Sequence, residues 1–212
     1  MTVQLRQVAP ADIEKESFAI IDREIGPHGF DEDAYEVVRR VIHATGDFSF
    51  KETMRFSPGA IARGLAAIRG GGNILTDVTM TAAGIGKKLL SRWGGKVVCL
   101  VGDEDIAREA QTKGVTRSEL AIRRGLNAGV GIVAIGNAPT ALVEAIRLTG
   151  LMPAAERPLI VGLPVGFVNA AESKALLAES DCLHITSLGR KGGSPTAAAT
   201  INALLRLAAR QP

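Results

Sequence analysis

Aromatic residues are scarce: Phe, Trp and Tyr make up 4% of the 212 residues, with a single Trp and a single Tyr. Modules that bind single-stranded nucleic acid stack bases on aromatic platforms, so that class is disfavoured. An excess of one charge is also lacking. The net charge of +3 falls short of the clustered basic surface of a DNA binder, though it suits an acidic ligand. There are two cysteines, Cys99 and Cys182, each inside an apolar run. They read as buried free thiols, not as a disulfide. No Cys-x-x-Cys occurs, and His28, His43 and His184 are scattered, which leaves a metal site unsupported. No run approaches the roughly 20 apolar residues of a membrane span. Asp12, Glu14, Lys15 and Glu16 stand near the start where a secretory leader would be apolar. The expectation is a soluble, cytoplasmic protein with neither a membrane nor a nucleic-acid partner.

What is present is a core and a regular alternation. Hydrophobic residues amount to 46%, enough for a sizeable interior, and the length fits one domain. Ile13, Ile20, Ile21 and Ile25 have helical spacing, broken by Gly26-Pro27-His28-Gly29. A second helix is predicted from Asp31 to Ala44, burying Val37, Val38, Val41 and Ile42 and ended by Gly46. Ser57-Pro58-Gly59 reads as the cap and first-turn proline of a third. Strands are then predicted at 74–78, 96–101, 130–135, 158–163 and 182–186, with helices between them. Thr116 and Glu119 form a capping-box pattern, and Ser194-Pro195 opens a last helix. Strands alternating with helices imply right-handed crossovers and a parallel sheet. The expected fold is α/β: a single doubly wound, mainly parallel sheet of about five strands with a helical N-terminal arm. The arm, with the His43 helix, takes 1–56, and the α/β core takes 57–212.

The stretch Ile135 to Ala141 is a strand end, a tight turn at Gly136 and a helix start, with Asn137 as the expected cap. Similar turns follow the other strands: Asp77 with Thr79, Gly102-Asp103, Pro164-Val165-Gly166, and Gly189 to Ser194. In a parallel sheet these ends face one crevice. Glycines let backbone approach a ligand, N–H groups at helix starts favour anions, and Arg190 and Lys191 add cationic donors. The phosphate-binding patterns Gly-x-x-x-x-Gly-Lys-[Ser/Thr] and strand-borne Gly-x-Gly-x-x-Gly are both missing. His43 is the candidate acid or base. It lies off the apolar face of its helix and near the helix C-terminus, where the dipole favours a protonated ring. By residue pattern alone a surface or capping histidine fits as well. His28, in a turn, and His184, in a strand, read as structural.

The ordered set of motifs resembles the precorrin-8X / cobalt-precorrin-8 methylmutases of cobalamin biosynthesis. The matching pieces are Ser17-Phe18; Val41 to Asp47; Phe56 to Ala60; Asp77 to Met80; Thr116-Arg117-Ser118; Ala134 to Leu142; Gly162 to Lys174; and Gly189 to Ser194. The resemblance implies an isomerase that moves a methyl group from ring carbon 11 to ring carbon 12 of a contracted tetrapyrrole, by a [1,5]-sigmatropic shift. The product would be hydrogenobyrinic acid, or cobyrinic acid where cobalt is already inserted. It implies no cofactor, His43 as catalytic residue, Arg117 and Ser17 at the substrate, and a homodimer whose chains share each active site. Asn137, Gly136, Thr79, Gly166, Arg190 and Lys191 join them as substrate-binding candidates from their place at the strand ends. Two other classes compete: a non-catalytic corrin carrier, which needs the cleft but not His43, and a nucleotide- or sugar-phosphate-binding α/β protein.

Overall fold

A computed structural model describes residues 7–210. The chain opens with helices α1 (Ile13–Glu24), α2 (Glu32–Thr45) and α3 (Phe50–Thr53), then strand β1 (Met54–Phe56) and helix α4 (Ala60–Arg69). There follow β2 (Asn73–Thr76), α5 (Thr79–Gly84), α6 (Lys87–Leu90), β3 (Val97–Val98), α7 (Glu104–Lys113) and α8 (Arg117–Gly125). The second half holds β4 (Val130–Ile135), α9 (Pro139–Gly150), β5 (Leu159–Gly162), α10 (Ala170–Glu179), β6 (His184–Ser187) and α11 (Ser194–Arg210).

The six strands form one sheet in the order β1-β6-β5-β4-β2-β3. All neighbours are parallel except β1, which pairs antiparallel with β6 at one edge. The five expected strands are present, and β1 is the addition. Three residues paired on one side only leave no alternation long enough to see in sequence. The expected arm therefore contains a strand. Pairing also explains Ser57. Its Oγ accepts from the backbone N–H of His184 at 2.8 Å, which extends the β1–β6 ladder. It is thus no helix cap, and α4 starts at Ala60, after Gly59 in the left-handed region at φ +82°.

The sheet is covered on both faces. One core joins the apolar sides of α1, α2, α4 and α11 to Ile74, Ile132, Leu159, Val161 and Ile185. The other joins Leu75, Val133, Ile135 and Ile160 to α8, α9 and α10. Strands buried on both faces read as continuous apolar runs, as β4 and β5 do. The arm is packed into the first core through Val37, Val38, Val41 and Ile42, all 1% exposed or less.

On α9, a buried Glu144 carboxylate accepts from Arg123 Nε at 2.6 Å and from Arg147 Nε and Nη2 at 2.8 and 2.9 Å. The Arg147 hydrogen bonds, with those of Arg123 and despite burial, pull its pKa down to about 2 from 4.5. A carboxylate depressed on folding adds stability that is full above its unfolded pKa and lost as pH falls through the folded value. Glu144→Gln should therefore flatten the dependence of the urea midpoint on pH between about 4.5 and 2. An unchanged slope would mean the two arginines contribute nothing to acid sensitivity.

Candidate active site

Strand order reverses between β2 and β4: β3 lies outside β2 on one side, and β4 and β5 follow on the other. In open parallel sheets ligands settle in the crevice at such a switch point. Here it is filled from within. Asp77, fully buried just after β2, accepts the backbone N–H groups of Gly136 (3.0 Å), Asn137 (2.8 Å) and Ala138 (2.8 Å) at the start of α9. Asn137 is therefore not the cap. The helix begins after Ala138 with no side-chain cap of its own, and Asp77 supplies the acceptor from another strand. Burial drives the Asp77 carboxyl up against the pull of the three N–H donors and Thr81. Thr81 Oγ1 stands 3.3 Å from Asp77 Oδ1 and 2.9 Å from Ser194 Oγ, joining β2, α9 and α11. Gly136 is required there: a Cβ would lie 2.7 Å from Ser194 Cα and 2.5 Å from Thr81 Oγ1. The N–H groups of Gly136 and Asn137 are thus committed, and the exposed Asn137 side chain is what this turn offers outward.

The other candidates lie along the rim. Thr79, the first residue of α5, is exposed. Thr116 Oγ1 accepts from Glu119 N, so the capping box forms on the Thr116 side, and it also meets Thr140 Oγ1 at 2.7 Å. That contact holds the start of α8 to the first turn of α9. Arg117, next in sequence, is exposed and has no hydrogen bond or ion pair among the described residues. On the far side two loops are laced together. Gly193 N donates to Leu163 O at 2.8 Å, and Gly166 N donates to Arg190 O at 3.2 Å. Arg190 is exposed, with its guanidinium 5.4 Å from the Phe167 ring. Phe167, Val168 and Val165 are exposed apolar residues on the same loop pair.

Lys191 turns to the arm. Its Nζ donates to Asp47 Oδ2 at 2.6 Å and Ser49 Oγ at 2.9 Å. The Lys191 hydrogen bond, with help from Ser49, lowers the Asp47 pKa to about 2. This places the C-terminal end of α2, which carries His43, against the loop that follows β6.

His43 Nδ1 lies 2.7 Å from Ser17 Oγ on α1. Phe18 meets the imidazole edge to face, centroids 5.2 Å apart. Arg39 and Arg40 stand over the Phe18 ring at 4.6 and 5.0 Å. Burial raises the Glu14 carboxyl, but Arg40, Arg206 and His43 hold it below its ordinary value. The ring is half-buried and borders an open cavity of about 330 Å³ with Ser17, Ile13, Ile20, Glu24 and Phe48. A larger cavity of about 800 Å³ lies at the other end of α2, between its start and α4, with Asp31, Glu32 and Asp33 in its wall. Those carboxylates suit no anionic ligand, and the cavity beside His43 has the titratable ring.

The other histidines behave as expected from sequence. His28 stacks on Tyr35 with centroids 4.2 Å apart. His184 is buried in β6 with Nδ1 2.9 Å from Cys182 O, and burial lowers its pKa. Cys99 and Cys182 are free thiols. Among the described residues no cluster of His, Cys, Asp or Glu could hold a metal ion, and no helix is long and apolar enough to cross a membrane.

A family model described as precorrin-8X methylmutase matches residues 12–207. A cobalt-precorrin-8 methylmutase of Priestia megaterium is 44% identical across 95% of this chain and 89% of that protein. A precorrin-8X methylmutase of Pseudomonas aeruginosa is 41% identical across 91% of this chain and 93% of its own length. The crystal structure of the precorrin-8X methyl mutase from Thermus thermophilus superposes with a TM-score of 0.83 at 43% identity, covering 94% of this chain and 98% of that one.

Proposed function

The chain belongs to the precorrin-8X methylmutase family, and from that premise we propose that His43 carries its chemistry. The protein is a methyl-migrating isomerase of cobalamin biosynthesis that acts on a corrin substrate. The step itself we read as transfer of the methyl group from ring carbon 11 to ring carbon 12 of precorrin-8X or cobalt-precorrin-8. One carbon–carbon bond breaks, another forms, and the electron count is unchanged. The reaction therefore needs no redox partner and no cofactor, only an environment that favours the rearranged ring.

The observation that carries this reading is the Ser17–His43 pair at the mouth of a cavity. Ser17 engages Nδ1, which leaves Nε2 as the nitrogen for a ligand. In the protonated ring, Nδ1–H donates to Ser17, and Nε2–H donates to the conjugated system beside the migrating methyl. The proton is lent as charge develops and returns after the shift. With cobalt in the substrate the ring nitrogens are occupied, and the same N–H acts on a carbon or through its field alone. Arg117, Arg190 and the outward side chains of Asn137 and Thr79 would take the acetate and propionate groups. Phe167 and Val165 would meet the apolar ring.

A cavity of about 330 Å³ is at the low end of small-molecule sites, roughly 300–1,000 Å³. A macrocycle fringed with carboxylates needs more wall than one chain provides at His43. A homodimer with shared active sites would supply it, and the exposed Phe167, Val168, Val143 and Leu176 are the kind of surface such contacts cover. The protein would work in the cytoplasm, without membrane or nucleic acid.

The test is a visible absorption time course of the purified protein with precorrin-8, metal-free and cobalt-loaded in separate cuvettes. Conversion to the methyl-shifted corrin is expected in at least one. A bound but unchanged spectrum in both would replace the isomerase with a carrier, and absence of binding would turn attention to phosphorylated ligands. In the same assay Arg117→Ala should raise KM about tenfold or more with kcat little changed, as loss of a charged hydrogen bond made in ground and transition state alike. An unchanged KM would remove Arg117 from the site.

A further inference from the structure

Lys174 on α10 is among the largest fully buried side chains of the molecule, and it has no carboxylate partner among the described residues. A buried ammonium without a counter-ion is costly unless its donors are used. They are used on one loop. Nζ donates to the Lys191 carbonyl at 2.5 Å and approaches Ser187 Oγ at 3.5 Å. Ser187 Oγ donates to the same carbonyl at 3.2 Å. Two buried donors thus converge on one backbone oxygen, in the middle of Gly189-Arg190-Lys191-Gly192-Gly193.

The loop's backbone is otherwise held at its flanks, by Gly166 N on Arg190 O and by Gly193 N on Leu163 O, and among the described residues only the two buried donors reach its middle carbonyl from beneath. Three of its five residues are glycines, which carry the largest conformational freedom. Gly189 and Gly193 sit at positive φ, +81° and +118°. Gly192 is pressed so closely to the preceding loop that a Cβ would stand 2.4 Å from Leu163 O. The loop's two cations point outward, Arg190 over Phe167 and Lys191 to Asp47 and Ser49. We propose that Lys174 is a positioning residue: it pins the Lys191 carbonyl from beneath and so holds the Arg190 guanidinium at the angle that receives a substrate carboxylate.

The inference rests on the reading of Arg190 as a carboxylate binder on a corrin-isomerising enzyme. Burial depresses the Lys174 pKa to about 8, yet ammonium and amine both donate to a carbonyl, so the role does not depend on its charge. Glu172 and Glu179 on α10, Glu144 and Arg147 on α9 and His184 on β6 are the titratable groups of the elements around it.

The experiment compares wild type, Lys174→Met, Arg190→Ala and the double variant in the spectral assay with precorrin-8. Methionine keeps the buried stem and removes the donors. The expected result is a KM raised about tenfold in Lys174→Met, with kcat within a factor of about three, the size expected when one charged hydrogen bond to substrate is removed. In the double variant KM should match that of Arg190→Ala alone, because both changes remove one interaction. Ser187→Ala, a milder change at the same carbonyl, should shift KM in the same direction, and it serves as the test if Lys174→Met fails to fold. An unchanged KM in both Lys174→Met and Ser187→Ala would overturn the proposal. So would multiplicative effects with Arg190→Ala, or a fall in kcat at constant KM. Turnover by wild type in the same cuvettes keeps the test separate: a wild type that does not convert the corrin refutes the isomerase reading, whereas a normal wild type with an indifferent Lys174→Met refutes only this role.

Discussion

His43→Ala is expected to lower turnover of the corrin by about 100- to 10,000-fold, the usual contribution of a positioned general acid, while the fold stands. The ring is half-buried at the last turn of α2 and contributes one hydrogen bond, to Ser17, and one edge contact, to Phe18. Alanine is the best helix former, and the apolar face of α2 is made by Val37, Val38, Val41 and Ile42, none of which the change touches. Thermal stability should therefore move little, and binding of substrate, which we propose is set by cations on the rim, should persist. His43→Gln separates two versions of the role. Glutamine keeps an N–H donor but lends no proton. If hydrogen bonding alone drives the shift, Gln recovers much of the rate. If a proton must move, Gln is as poor as Ala. Turnover within about threefold of wild type in His43→Ala would remove His43 from the mechanism, since general acids contribute far more than that.

The sheet was legible because β2, β4 and β5 are runs of apolar residues bounded by turn signals, and such runs have few alternative fates. The helices of the arm were legible from the spacing of isoleucines and valines. Pairings across the chain were not. Ser17 and His43 are 26 residues apart on separate helices, and no periodicity within either helix says that the two will touch. The family resemblance named both residues, whereas the residue pattern left His43 indistinguishable from a capping histidine. Ser57 and Asn137 have the chemistry of caps and neither acts as one: Ser57 pairs with the start of β6, and Asp77 takes the backbone N–H groups of the turn at Asn137. Lys174 was hidden by its neighbours, since a lysine in Ala-Ala-Glu-Ser-Lys reads as the solvated side of a helix. Its burial follows only from where the Lys191 carbonyl lies.

Asp77 is where the second large effect is expected. Asp77→Asn should cost about 3–5 kcal/mol of folding stability, the range for breaking a buried charged network by removing one partner. Both carboxylate oxygens are acceptors: Oδ1 takes Gly136 N and Thr81, and Oδ2 takes Asn137 N and Ala138 N. An amide offers one oxygen. Whichever way it turns, its NH2 faces backbone donors, so at least one buried N–H is left without an acceptor. Against a total stability of about 5–15 kcal/mol that loss would be plain in the urea midpoint. The same geometry yields a sharper test. Asp77→Ala vacates a ring of N–H groups at the start of a 12-residue helix, and such a place favours anions. Sulfate should raise the midpoint of Asp77→Ala more than it raises that of wild type, by filling the vacated position as a bound ligand. Equal sulfate effects in the two proteins would mean that the turn rearranges without its carboxylate. A loss below about 1 kcal/mol in Asp77→Asn, the worth of an ordinary hydrogen bond, would mean that the three N–H groups never depended on it. With Asp77 in place the helix start is satisfied before any substrate arrives, so the proposed contacts to the corrin carboxylates fall to rim side chains, Arg117 beside the first turn of α9 and Arg190 on the loop after β6.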